Sequence, residues 1–284
     1  MEEYTHYGKL ADVFKHLVLC EVLNNEMPAV YLDTNSACAV YQLEHTQEQE
    51  YGIYHFVRNT SENDKLKDSL YYRLESDAVI KNSYYGSPAL AMKVMRENAD
   101  KYYFFDLESK SLENVKAFAE YENLSNRITI QNCDSTKRVM DLLPALPKNT
   151  FLHIDPYEID KKGIGGHTYF DIFVQATQLG MKCLLWYGFM TLDEQFRLDK
   201  YIASHLQKED IQNIVGSKLI MNNIKKDTIA YNPGVLGSGL LASNLSDKSN
   251  HQLLDFTRLL VEVYKNSQYK GCGGCLYSTL WDVS

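Results

Sequence analysis

Aspartate, proline and tyrosine at positions 155 to 157 close a short apolar run, Thr150-Phe151-Leu152-His153-Ile154, and in that order they suit one chemistry. The run has strand character. Proline fixes φ and withholds an N–H, so a strand cannot continue through Pro156, and Asp155 is left at the carboxyl end of a sheet beside an aromatic ring. Open α/β sheets bind their ligands at that end. A carboxylate there can accept an N–H from an exocyclic amino group, raising electron density on the nitrogen during methylation, while the tyrosine ring stacks on a flipped base. Asp and Pro are also common turn residues, so the tripeptide alone leaves an ordinary strand-ending turn open.

The elements that must position this tripeptide alternate. Runs with strand character lie at Ala29 to Asp33, Lys101 to Leu107, Ile128 to Asn132, Thr150 to Asp155 and Lys182 to Tyr187. Between them, Ser87 to Asn98, Lys110 to Tyr121, Ser135 to Leu143 and Gly166 to Leu179 repeat apolar residues at spacings of three and four. That order predicts an α/β fold, a doubly wound, mostly parallel sheet with helices on both faces. Ahead of the first strand, Ala11 to Asn24 reads as an amphipathic helix with Val13, Leu17 and Cys20 on one side. A polar, Tyr-rich stretch between the first two strands is longer than a simple crossover needs and predicts a helical insertion subdomain at 42–85 within one domain spanning 1–284. After the fifth strand, Leu192 to His205 and Gln252 to Tyr264 read as helices, and Ile211 to Ile220, Gly239 to Asn244 and Leu276 to Trp281 as strands.

Three further strand ends carry carboxylates: Asp33 in Asp33-Thr34-Asn35, Asp106 after Tyr102-Tyr103-Phe104-Phe105, and Asp134 in Cys133-Asp134-Ser135. Each alone is an ordinary cap or turn residue. Together with Asp155 on the next strand they point to a nucleoside-containing cofactor, with the carboxylates facing a ribose and an adenine amino group.

Composition bounds the class. The chain has 284 residues, 45% hydrophobic and 23% charged, with no apolar run near the roughly 18 residues needed to span a bilayer and no signal-peptide pattern at the N-terminus. A cytoplasmic protein without membrane contact is expected, with its six cysteines reduced. A net charge of −8 argues against gripping long duplexes by neutralising many phosphates, though not against a local basic groove.

Taken in order, Tyr4 and His6, Ala11-Asp12-Val13-Phe14-Lys15-His16, Tyr31-Leu32-Asp33-Thr34, Tyr41-Gln42-Leu43, Tyr85-Gly86-Ser87-Pro88, Ile154-Asp155-Pro156-Tyr157-Glu158 and Leu185-Trp186-Tyr187 run nearly end to end through the chain. This series resembles the bacterial 23S rRNA adenine methyltransferases of the RlmJ type. The resemblance implies a class I methyltransferase fold of seven strands with a helical insertion after the first, S-adenosylmethionine as cofactor, an RNA substrate in preference to DNA, and a monomer. It implies that His16, Asn35, Ser87, Asp106, Asp134, Ser135 and Asp155 surround the cofactor. Asp155 would be the catalytic acceptor, and Tyr4, Pro156 and Tyr157 would meet the substrate nucleotide. Lys15 is either a cofactor neighbour or a solvated surface lysine, and His16 could instead pair with Asp12 four residues earlier.

The chain departs from that family at definite places. One proline follows Asp155 where the family has two. Asn35 and Asp106 stand at a family histidine and a family glutamate, and Ser36-Ala37-Cys38-Ala39 replaces a glycine-rich loop. These departures keep a second function class open: a degenerate relative with the fold but no methyl transfer, binding nucleic acid or protein, or a small-molecule methyltransferase. Weaker signals include Cys272-Gly273-Gly274-Cys275, which lacks the second pair a zinc site needs, and Gly163-Ile164-Gly165-Gly166, a loop expected to shape substrate access. Asn232-Pro233 reads as a turn, and Lys161-Lys162 and Lys225-Lys226 as solvated surface able to steer a phosphate. No metal ligands are expected.

Overall fold

The computed structural model describes residues 6–60, 63–222, 235–264, 268–269, 272–273 and 275–283. Its core is a run of parallel strands, β1 (Val30–Asp33), β4 (Lys101–Asp106), β5 (Ile128–Asn132), β6 (Thr150–Ile154) and β7 (Lys182–Phe189). β8 (Ile214–Asn222), β9 (Gly237–Ser243) and β12 (Cys275–Val283) extend it with antiparallel pairings, while the short β10 (Gln268–Tyr269) and β11 (Cys272–Gly273) pair with each other outside it. The order is β12-β8-β9-β7-β6-β1-β4-β5. The doubly wound, mostly parallel arrangement is as expected, but the sheet has eight strands rather than seven, because β12 pairs along the whole of β8.

Both faces of the central strands are buried, which explains why they read as apolar runs and not as alternating ones. Successive side chains of β1 enter different cores. Tyr31 packs with Tyr102, Phe104 and Phe151 under α1 (Leu10–Glu26), α6 (Ser87–Val94), α7 (Ser109–Tyr121) and α11 (Asp247–Tyr264). Leu32 packs with Phe105, Leu152 and Ile154 against α8 (Ser135–Leu142), α9 (Tyr169–Gln178) and α10 (Leu192–Lys208). Each such side chain contributes about 1.5–3 kcal/mol relative to exposure.

Helix α1 differs from its expected form. The sequence suggests one apolar side, whereas every residue from Leu10 to Leu23 is buried, including Asp12, Lys15, His16 and Glu21. The helix lies over the sheet and under the segment that follows β1, so its polar side chains have protein on their side as well. That segment, residues 42–85, runs through α2 (Gln47–Tyr51), α3 (Ile53–Thr60), α4 (Asp64–Lys67) and α5 (Leu70–Ile80). It is bracketed by a ribbon of β2 (Val40–Gln42) and β3 (Ser83–Tyr85), two strands absent from the sequence-based reading that pair with each other and not with the central sheet.

Local signals set the element boundaries that matter below. β6 ends at Ile154, one residue before Asp155 and two before Pro156. Asp134 caps α8, accepting from the Thr136 N–H at 2.9 Å. Thr168 and Asp171 form a capping box that starts α9 at Tyr169, three residues later than the periodicity suggested. Gly86 sits where a Cβ would lie 2.1 Å from the Cys38 carbonyl oxygen, so the ribbon and the start of α6 meet through a residue without a side chain. Cys20, Cys133 and Cys183 are free thiols. Lys225-Lys226 and Asn232-Pro233 lie outside the described residues, as do the side chains of Cys272 and Cys275. No helix among the described residues is long and apolar enough to cross a membrane.

Candidate active site

The carboxyl ends of β1 and β6, the N-terminal half of α1 and the start of α6 enclose a cavity of about 360 Å³. This is within the range of about 300–1,000 Å³ usual for small-molecule sites. His16, Asn35, Ser87, Asp155, Pro156 and Tyr157 line it together with Asp12, Lys15, Ala37, Tyr41 and Trp186.

Asp155 sits at its floor with its side chain 8% exposed. Its Oδ2 accepts from Lys15 Nζ at 2.6 Å, and Lys15 also reaches Asp12 Oδ1 at 3.1 Å. Burial pushes the Asp155 carboxyl above the usual carboxylate value, against the pull of Lys15 and His153. Burial also pulls the Lys15 ammonium down, but Asp155 and Asp12 outweigh it and hold the ammonium above its ordinary value. Lys15 is therefore a fixed cation, lying 5.0 Å from the centre of the Trp186 ring. The other Asp155 oxygen, Oδ1, is buried and has no hydrogen-bond partner. An unpaired buried acceptor is costly, and it marks the place where a donor from a bound molecule would be taken.

His16 does not pair with Asp12; Lys15 does. The His16 Nδ1 is 2.8 Å from the Tyr84 hydroxyl, and burial, with Lys15 and His153 nearby, holds the imidazole well below its ordinary value, so it is neutral at pH 7. Beneath the cavity Asp33 gathers four contacts. Tyr31 and Ser87 hydroxyls donate to Oδ2 at 3.0 and 2.6 Å, His153 Nδ1 is 3.2 Å from the same oxygen, and the Asn35 N–H donates to Oδ1 at 3.2 Å. Burial would raise its carboxyl, but His153 and these donors win and hold it below the usual carboxylate range.

The remaining expected site residues stand apart from the cavity wall. Asp106 is buried, and its oxygens accept the Ala37 and Glu108 N–H groups at 2.8 Å each, which shapes the loop after β1. Asp134 caps α8 and accepts the Ile164 N–H at 3.0 Å, tying the glycine loop down. Its carboxyl lies below the ordinary value because the Thr136 hydroxyl and the Ile164 and Thr136 amides outweigh burial. Ser135 donates to the Tyr169 hydroxyl at 3.2 Å, and Asn35 Nδ2 donates to the same oxygen at 2.9 Å. Tyr169 thus bridges the loop after β1 to the start of α8. Tyr157 is 42% exposed at the mouth, its ring backed by Gly188, where a Cβ would come within 3.0 Å. Tyr4 lies outside the described residues.

Sequence reasoning missed the roles of Asp12, His153, Trp186 and Tyr169. The Asp12/Lys15 spacing of three was a usable signal. His153 was hidden in an apolar strand, though it stands two residues before Asp155. Nothing local distinguished Tyr169.

Neither a family model nor a curated protein matches the chain. Among solved structures, a Legionella pneumophila protein carrying the family label DUF519 superposes with a TM-score of 0.72 at 20% identity, covering 98% of this chain and 99% of its own. The two share a fold. A SAM-dependent methyltransferase from Agrobacterium tumefaciens (12% identity, 80% of this chain, 61% of that one) and an rRNA methylase from Streptococcus thermophilus (8%, 81% and 94%) overlap with TM-scores of 0.43 and 0.39. At those values the overlap supports nothing more.

Proposed function

We propose that the chain is an S-adenosylmethionine-dependent methyltransferase acting on the exocyclic amino group of an adenine in RNA. One observation carries this reading: the buried, unpartnered Oδ1 of Asp155 at the end of β6, beside Pro156 and a half-exposed tyrosine ring. The donor set suits such a cofactor. His16, Asn35 and Ser87 on the cavity wall would hold it, and Asp106 supports them by fixing the Ala37 amide. When bound, the cofactor supplies an electrophilic methyl group.

The chain's own part is positioning and charge control. Tyr157 offers its ring face to an unstacked base, which is worth about 1–3 kcal/mol in nucleic-acid sites. Asp155 Oδ1 accepts an N–H of the amine, so that charge developing on the nitrogen meets a fixed carboxylate in a site shielded from water. Lys15 keeps Oδ2 occupied and the carboxylate oriented. Single-turnover transfer of a radiolabelled methyl group to unmodified bacterial ribosomal RNA, with free adenosine and DNA as controls, tests the reading. Transfer to RNA supports it; transfer to no nucleic acid refutes it and favours the degenerate-relative class.

A further inference from the structure

Methylation of an amine releases a proton, and the residues around Asp155 contain a place for it. His153 lies on β6 and Asp155 one residue past its end, two positions further along the chain. Asp33 is the cross-strand partner of His153 in the β1 register. Both side chains are fully buried, with Nδ1 and Oδ2 3.2 Å apart. An ionised carboxylate only accepts, so this contact needs the imidazole proton on Nδ1. In a neutral ring Nε2 is then a bare acceptor, with the ring oriented by the carboxylate behind it, the same logic that orients the histidine of a hydrolase triad. His153 Nε2 is buried without a partner, and so are Asp155 Oδ1 and His16 Nε2.

We propose that His153, backed by Asp33, is a positioning residue acting through Asp155, taking up from Oδ1 the proton that the amine sheds. This rests on the methyltransferase reading above. The step balances as follows: the nitrogen lone pair forms the new N–C bond, and the C–S pair stays on the sulfur of the sulfonium donor. The N–H pair stays on nitrogen as its proton passes to Asp155 Oδ1 and on to His153 Nε2. One bridging water spans the last transfer. Lys15 blocks the other route, because Oδ2 is held at 2.6 Å by an ammonium that has no acceptor site. The product is an imidazolium facing Asp33, a buried ion pair whose remaining lone pairs Tyr31, Ser87 and the Asn35 amide satisfy.

Two measurements test it. In the unmodified, ligand-free protein, ¹⁵N-histidine NMR at neutral pH should find His153 neutral, protonated on Nδ1 and bare on Nε2. A proton on Nε2, or an imidazolium already present, overturns the relay with no variant needed. His153→Gln keeps a donor for Asp33 but cannot hold the proton. It should lower kcat by about 10²-fold, at the low end of general acid–base effects, with KM for RNA and calorimetric cofactor affinity changed less than about twofold. An unchanged kcat, or kcat and KM moving together, also overturns it. Methyl transfer by the original chain combined with a failed NMR result would sink the relay alone; no methyl transfer at all would sink the functional reading and the relay with it.

Discussion

Replacing Asp155 with alanine separates its structural part from its chemical part, because the two oxygens do different things. Oδ2 bonds Lys15 at 2.6 Å, and Oδ1 is unpaired. Removing one partner of a buried ion pair commonly costs 3–5 kcal/mol, since it strands the other charge. Here Lys15 keeps Asp12 at 3.1 Å, so the loss should be nearer that of one charge-assisted hydrogen bond, about 1–3 kcal/mol. That corresponds to a fall in Tm of roughly 2 to 12 °C. The rate should suffer more. Loss of the acceptor that meets charge on the reacting nitrogen costs about 3 kcal/mol or more, roughly two orders of magnitude in single-turnover rate. Cofactor affinity by calorimetry should change less than about threefold, because His16, Asn35 and Ser87 remain on the wall. A rate within threefold of the original would refute Asp155 as the acceptor. An equal loss of cofactor affinity and rate would refute the claim that its contribution belongs to the transition state.

Asp33 lies below the ordinary carboxylate value of 3.8, so its stabilising contribution is present above that pH and is lost as pH falls through the lower folded value. Urea midpoints should therefore drop on acidification below about pH 3.8, and Asp33→Asn should be less stable at pH 7 with a shallower acid decline; identical acid slopes would exclude Asp33 as the source. Tyr157→Ala should weaken RNA binding by about 1–3 kcal/mol, read by fluorescence anisotropy, while Tyr157→Phe, which keeps the ring, should bind normally. Gly86→Ala forces a methyl to within 2.1 Å of a backbone carbonyl and should cost at least about 3 kcal/mol in chemical denaturation; a near-neutral change would mean that the ribbon moves aside easily.

The strand ends were legible because proline, aspartate and apolar runs punctuate a parallel sheet in sequence: Asp33, Asp106 and Asp155 all close the strands expected of them. The charge pattern of α1 was not. Lys15 looks like any lysine on a helix surface until the chain after β1 folds over it. Asp106 and Asp134 stand where ligand carboxylates were expected, and their oxygens also hold backbone amides, one local and one from another loop in each case. A one-dimensional pattern locates a carboxylate on an edge and says nothing about which donors reach it first. β12 was read as a strand but not as an eighth member of the central sheet, because edge pairing is settled by the partner strand.

Helix α1 is made well before the strand end it meets. Its Lys15 meets Asp155 across 140 positions of chain. At a ribosomal rate of about 5–20 residues per second, roughly 7 to 28 s separate the two residues during synthesis. Through that interval a helix destined to be buried on every side lacks β7 and β9, the strands it packs on, and α2 and α3, then α5 and α6, are the first of its later neighbours to emerge. The nascent chain therefore carries an exposed apolar helix with a cation awaiting its anion, a form suited to capture by chaperones and prone to aggregation in their absence. The site cannot exist until α1 and the end of β6 have both been made and brought together.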